Sequence, residues 1–351
     1  MNIASDDREQ MGSRPTVGLS ISIDTEEDNW SPAIQGVTVR NIQELPKLSE
    51  LFTSLGVRAT YFATYQVLAN PDSAAVLRDL HDQGIAEIGA HLHPWNTPPE
   101  CGIESRVTML RDYPPECQRH KLERLLREFD DSLGFKPTSF RAGRFGVGRS
   151  TIELLIQSGI YVDSSVTPLL SWEGSGGPSF LTAPGGLYRL DGVGNVRIPT
   201  ESGVLVEFPI TVGFTRFPPS SWPRIAAGLA TPGARGLRVL GIASSMGFLR
   251  RVVLGPETHT VPDMLRVSQR LIEANAPFLH LFFHSNSLLP GRTPFVRTDS
   301  DVTRLYDSLR QYVEGLQRIA DVKFCTVSEA AASLNPGRPG SSETPAPEGS
   351  G

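Results

Sequence analysis

Cysteine is scarce: Cys101, Cys117 and Cys325 are the only three in a chain of 351 residues. An odd, scattered set draws no disulfide framework and no C-x-x-C metal pair, so reduced thiols in a cytoplasm are the expectation. Positive charge is in deficit too. The net charge is -5 and the sequence pI about 5.9, which argues against a nucleic-acid partner, because phosphate binding wants a positive surface. Long hydrophobic runs are missing, and without eighteen consecutive apolar residues no transmembrane helix is expected. The opening MNIASDDREQMGSRP carries acids where a secretion signal has a basic segment and an apolar run. Together these absences lead to the expectation of a soluble, cytoplasmic protein.

What is present is an ordinary globular composition, 39% hydrophobic and 20% charged, on a chain long enough to bury a full core. Short apolar runs alternate with helix-patterned segments. Strands are expected at 16–23, 59–62, 86–90, 139–142, 160–164, 278–283 and 322–325. Helices are expected near 42–55, 73–83, 116–132, 150–158, 262–274 and 300–319. Such alternation predicts an α/β fold with a parallel sheet or barrel. Residues 166–260 break the rhythm and read as an irregular insertion with a hairpin-like region ending in LVEFPI. Inside it, ASSMGFLRRVVL (243–254) reads as a helix packed on the core with its arginines outward, the alternative being a peripheral membrane contact. One domain, 16–334, is expected between a flexible N-terminus (1–15) and a disordered Pro/Gly/Ser/Glu-rich tail (335–351).

Polar clusters close four of the expected strands: Asp24-Thr25-Glu26-Glu27-Asp28, His91-Leu92-His93, Arg141-Ala142-Gly143-Arg144 and His284-Ser285-Asn286-Ser287. Parallel strands end at one pole of a sheet, so these groups converge there. His91 and His93, two apart in extended chain, point to one side roughly 6.5 Å apart and can hold one cation. Asp24 and Glu26 repeat that spacing, one as metal ligand and one as general base beside the attacking water. Glu27 and Asp28 read as a solvated acidic turn or a helix N-terminus. Arg141 suits a partner that keeps a catalytic carboxylate ionised, and the following GRFG offers a backbone N–H near Arg144 to a developing oxyanion.

His284 is the candidate general acid for a leaving amine. Asp163, ending the fifth strand, either polarises His284 or caps the loop, and His280 reads as a core residue. Trp30, Trp95 and Trp172 fall in loops at the pole, where they stack on a sugar face or pack in the core. Asn286 is a further candidate substrate contact. A competing pattern from Gly143 to Ser150 is like a phosphate-binding loop, but arginine stands where that loop needs lysine.

The order and character of these clusters resemble the polysaccharide deacetylase (NodB-homology, carbohydrate esterase) family. SISIDTEED resembles its first motif, GAHLHPW its second, FRAGRFG its third and LFFHSNSLLPG its fifth, over residues 16–330. The resemblance implies a distorted (β/α) barrel that removes acetyl groups from N-acetylated sugars with Zn²⁺ or a similar cation. It implies Asp24 as general base, Glu26 as metal carboxylate, His91 and His93 as metal imidazoles, and Arg141 as the residue orienting Asp24. The N–H near Arg144 would bind the oxyanion and His284 would be the general acid. This chain departs from the pattern. The family's first motif more often has two adjacent aspartates, which leaves Glu26, Glu27 and Asp28 open as the metal carboxylate. The histidines are two apart rather than four, Gly143 stands where proline is usual, and no fourth motif is recognisable.

The expectation is a metal-dependent amidohydrolase using Zn²⁺, or Co²⁺, Ni²⁺ or Mn²⁺. Its substrate would be an acylated amino sugar, nucleotide- or lipid-linked, in polysaccharide or glycolipid biosynthesis. The alternative is a catalytically inactive carbohydrate-binding or scaffold protein on the same barrel.

Overall fold

The computed structural model describes residues 14–30, 38–104, 106–231 and 249–334. Strand β1 (Thr16–Thr25) is buried at every position after the first, the pattern of a strand covered on both faces. From it the sheet runs in parallel through β2 (Ala59–Ala63), β3 (Ala86–Leu92), β4 (Ser139–Ala142) and β5 (Val162–Asp163). It ends on β6 (Tyr188–Leu190) and β7 (Leu205–Glu207), in the order β5-β7-β6, with β6 antiparallel. A small antiparallel pair, β8 (Val212–Phe214) and β9 (Arg251–Val253), stands apart. Strand β10 (Phe278–His284) lies parallel to β1 along its length, and β11 (Asp321–Phe324) pairs with the first residues of β1.

The mixed sheet curls into a half-barrel. Phe208 N donates to Asp163 O at 2.8 Å and Thr211 N donates to His280 O at 3.0 Å. The segment after β7 therefore crosses from β5 to β10 and closes the curl with irregular backbone. Residues 166–260 are thus no appendage: they supply β7 to the main sheet and this closing segment.

Helices α1 (Leu45–Ser54), α2 (Tyr65–Leu68), α3 (Pro71–Asp82), α4 (Pro115–Leu133) and α5 (Arg149–Gln157) link the strands of the first half. Local chemistry sets their ends. The Asn70 side chain accepts the Ser73 N–H at 2.9 Å ahead of α3, with Pro71 in its first turn, and α4 stops where Gly134 takes φ 79°. In the second half come α6 (Trp222–Leu229), α7 (Val261–Glu273), α8 (Asp299–Ile319) and α9 (Val327–Ala332). Short α9 packs Val327, Ala330 and Ala331 against Phe62, Tyr161 and Val162.

Three expectations are corrected. Residues 251–253 form β9 rather than helix, because β8 offers them ladder partners; 243–248 lie outside the described residues. The arginines there do not face solvent alone: Arg250 pairs with Asp263 at 2.7 Å and Arg251 donates to Leu169 O at 3.1 Å. Cys101 and Cys117 form a disulfide, because the loop between them folds back over the start of α4. That pairing removes the ground for expecting reduced thiols, and with it the cysteine argument for a cytoplasm. The ends expected to be loose fall outside the described residues, save residues 14 and 15. No helix among the described residues is long and apolar enough to cross a membrane.

Candidate metal and catalytic site

Strand register decides which side chains meet. Asp24 stands beside His284 across β1 and β10, and His91 beside Arg141 across β3 and β4. The chain just past β1 brings Glu26 over them. Oxygen and nitrogen atoms of Glu26, His91 and His93, all buried, lie within 4.8 Å of one another. His91 Nε2 and His93 Nε2 are 3.1 Å apart, and they stand 3.7 and 3.1 Å from Glu26 Oε2. Donors about 2.0–2.2 Å from a tetrahedral zinc sit roughly 3.3–3.5 Å from each other, so the spacing fits a divalent cation.

The hydrogen bonds behind these groups make the same case. His91 Nδ1 lies 2.9 Å from the Arg141 carbonyl, which can only accept. That nitrogen therefore carries a proton, which leaves Nε2 as the ring nitrogen turned to the cluster. His93 Nδ1 is 2.9 Å from Glu27 Oε1, and Asn286 Nδ2 donates to Glu26 Oε1 at 3.0 Å. Two imidazole nitrogens and a carboxylate oxygen converge where a positive charge is called for. Burial opposes charging His93, yet Glu27 and Glu26 together raise its pKa to about 10. Gly143 makes room for this: a Cβ there would lie 2.6 Å from the His93 ring and 2.9 Å from the Leu92 carbonyl.

Beside the cluster are an acid and a base with opposite support. Arg141, fully buried, donates from Nη1 to Asp24 Oδ1 at 2.5 Å, from Nη2 to Ser22 and Ser164 at 2.9 Å, and from Nε to Ser164 O at 2.9 Å. Burial would raise the Asp24 pKa, but Arg141 first, then His91 and His284, hold it below the usual carboxylate range. His284 Nε2 faces Asp24 Oδ2 at 3.9 Å, while its Nδ1 lies 2.9 Å from Glu257 Oε2. Burial would lower His284; Glu257 first, then Glu26 and Asp24, together raise its pKa to about 10. His280, sealed in the core against Ser22 at 2.8 Å, is pushed well below its ordinary value by burial and Arg141.

No family model and no curated protein matches the sequence. Solved structures do match. A Mycobacterium smegmatis protein named as a polysaccharide deacetylase aligns with a TM-score of 0.53 at 16% identity, over 92% of this chain and 91% of that one. The chain has the polysaccharide deacetylase fold. A Pseudomonas aeruginosa protein of the same description aligns at TM-score 0.46 and 16% identity, covering 90% of this chain and 89% of its own. An allantoinase aligns at 0.49 and 15%, with 93% of each chain covered.

On this deacetylase fold the remaining expected residues take varied places. Trp30 is 42% exposed and meets His284 edge-on at 5.0 Å. Trp95 stacks on His93 at 4.2 Å, and Trp172 stacks on Phe145 at 5.4 Å. Exposed Arg144 lines a cavity shared with Glu26, His91 and His93, its backbone at φ 55° and the next residue, Phe145, at φ 57°. Two successive non-glycine residues in the left-handed region are costly and are kept where a site needs the turn.

Three roles are corrected. Asn286 is buried against Glu26, holding that carboxylate rather than facing substrate. Asp163 is not the partner of His284: it is buried, accepts from Ser165 Oγ at 2.5 Å and lies beside Glu207. Glu257 has that place, from the stretch expected to be an insertion. Glu27 and Asp28 are not solvated, being 2% exposed each. Glu27 orients His93 and accepts from Thr64 at 2.9 Å, and Asp28 accepts the Asn41 N–H at 3.1 Å where the chain turns toward α1.

Proposed function

We propose that the protein is a metal-dependent hydrolase that removes an N-acyl group from an amino sugar, free or carried on a nucleotide or lipid. One observation carries the reading. A buried Glu26–His91–His93 donor set lies beside a carboxylate kept ionised by Arg141 and an imidazole kept protonated by Glu257. A divalent cation held by Glu26, His91 and His93, zinc foremost, would supply Lewis-acid polarisation of the amide carbonyl and acidify a water.

The chain's own groups supply the proton transfers. Asp24, ionised at neutral pH, takes the proton from the attacking water. His284, on the neighbouring strand, gives its proton to the departing nitrogen, without which an amine is a poor leaving group. Arg141 fixes the Asp24 carboxylate, and Glu257 holds the His284 ring through Nδ1 so that Nε2 faces the site. The turn at Arg144 and Phe145 offers backbone N–H groups to the oxyanion. The fold shared with a protein named as a polysaccharide deacetylase supports removal of an acyl group as the chemistry.

The test joins metal content to turnover. Purified protein should hold about one equivalent of metal by elemental analysis and release acid from N-acylated glucosamine. His91→Ala should lose both. An inactive scaffold on this fold has no need of the cation. Unchanged zinc in His91→Ala, or no acid from any N-acyl sugar, defeats the reading.

A further inference from the structure

Next to the Glu26–His91–His93 cluster lies a cavity of about 420 Å³, within the roughly 300–1,000 Å³ that accommodates a whole drug-sized ligand. Its ionisable lining residues, Arg144 apart, are those of the cluster and its partners: Asp24, Glu26, Glu27, His91, His93, Glu257 and His284. Much of the rest of the wall is apolar: Met109, Phe145, Leu170, Trp172, Val253 and Phe282. The rings touch in series. Trp172 stacks on Phe145 at 5.4 Å, Phe145 meets Phe282 edge-on at 5.7 Å, and Phe282 meets His284 at 5.5 Å. A continuous aromatic wall therefore runs from the imidazole that faces Asp24 out to Trp172. Phe145 holds its place in that wall at φ 57°, a conformation unfavourable for a bulky residue. An acetyl methyl would cover little of this surface and leave most of it against water.

The geometry points to an amide substrate with a bulky apolar arm, a fatty chain of about eight carbons or an aromatic ring, lying along Phe282, Phe145 and Trp172. This rests on the hydrolase reading for the scissile amide, and on the cavity for the arm. The arm is either the acyl group itself or an aglycone on the sugar, and the two sources are separable.

Three of the four tryptophans, Trp30, Trp95 and Trp172, line the cavity, so intrinsic fluorescence reports its occupancy without any turnover. Protein kept metal-free with chelator is titrated with N-acetylglucosamine, N-octanoylglucosamine and the octyl glycoside of N-acetylglucosamine. Each buried methylene is worth about fourfold in affinity. The expected result is that one octyl compound binds about a hundredfold or more tightly than N-acetylglucosamine. Tight N-octanoylglucosamine assigns the arm to the acyl side; tight octyl glycoside assigns it to the aglycone.

Ser175→Trp, at an exposed position of the cavity lining, should abolish the preference by filling the space. Val253→Phe provides the same block should the first variant be unstable. Similar affinity for all three compounds, or a preference that both blocked variants retain, overturns the assignment. Turnover by metal-loaded protein separates the two readings. If the octyl ligand binds tightly and no amide is cleaved, the hydrolase reading falls and the apolar-ligand assignment stands. If N-acetylglucosamine is cleaved as fast as both octyl compounds, the hydrolase stands and the arm falls.

Discussion

Asp24 and His284 face one another across β1 and β10, and each owes its charge to a neighbour that arrives from elsewhere in the chain. Burial acts against both charges; Arg141 with His91 and His284 keeps Asp24 ionised, and Glu257 with Glu26 and Asp24 keeps His284 protonated up to about pH 10. Both reactive forms therefore coexist at neutral pH. Asp24→Asn should leave bound metal unchanged by elemental analysis, since the cluster of Glu26, His91 and His93 does not need it, while kcat falls about 10²–10⁴-fold. Glu257→Gln removes the largest charge raising His284. The basic limb of kcat against pH should then move well below 10, with kcat near neutrality falling about tenfold or more as the ring loses its support. A basic limb that stays in place would show that another group titrates. At this scale the candidate residues were readable because each lies at or just past the end of an apolar strand, two of the clusters with a two-residue spacing. Glu257 was not: it stands alone in Gly255-Pro256-Glu257, with no periodicity to announce it.

Between elements, β5 and β7 bring two carboxyls together. Asp163 and Glu207 are register partners and both are fully buried. Burial raises Asp163 to about 6, and burial with the Asp163 charge raises Glu207 well above its ordinary value. An acid whose folded pKa is raised contributes its stability fully below the unfolded pKa, near 4, and loses it as pH rises through the folded value. The native pair is therefore a stability cost above about pH 6. Glu207→Gln replaces the ionisable group with a neutral amide that can still accept the Val166 N–H, which Glu207 Oε1 holds at 3.0 Å. Its Tm should exceed that of the parent by a few degrees at pH 8, from about 1–2 kcal/mol, and match it near pH 5. A difference independent of pH would refute the raised pKa of the pair as its cause. Asp163 looked catalytic because it ends a strand, as Asp24 lies near the end of β1 and His284 ends β10. Only the pairing of β5 with β7 shows that Glu207 claims it. The strand at 251–253 was misread for a related reason: a short segment such as Arg251-Val252-Val253 becomes strand or helix according to whether a partner such as β8 lies alongside.

Across the whole molecule, the loop between β3 and α4 carries Trp95 and Met109 over the cavity, and it is tied down at Cys101. The Cys101–Cys117 bond closes a sequence separation of 16, and Lys121 Nζ adds hydrogen bonds to Thr97 O at 2.5 Å and Pro99 O at 2.7 Å. Constraining a loop of that length is worth about 3 kcal/mol. Cys117→Ser, or reduction of the parent, should lower Tm by roughly 4 °C in calorimetry. An unchanged Tm on reduction would mean that the bond does not constrain the chain. The curl of the sheet acts at the same scale. By sending residues 208–211 from β5 to β10, it returns the chain to the site side and lets Glu257 reach His284.

The sequence by itself determined the fold class and singled out the groups that the structure gathers at the candidate site. Strand pleat and helix period are local properties, and a polar cluster at the end of an apolar run marks a strand's C-terminal edge wherever the strand is later placed. Tertiary structure decided the partners: Glu257 for His284, Glu207 for Asp163, Asn286 for Glu26, Cys117 for Cys101, and the aromatic wall from Phe282 to Trp172. Most of these join residues distant in the chain, and all depend on how the sheet curls and how loops fold back on it. Those geometries are set by packing of the whole core, which no local pattern of residues spells out.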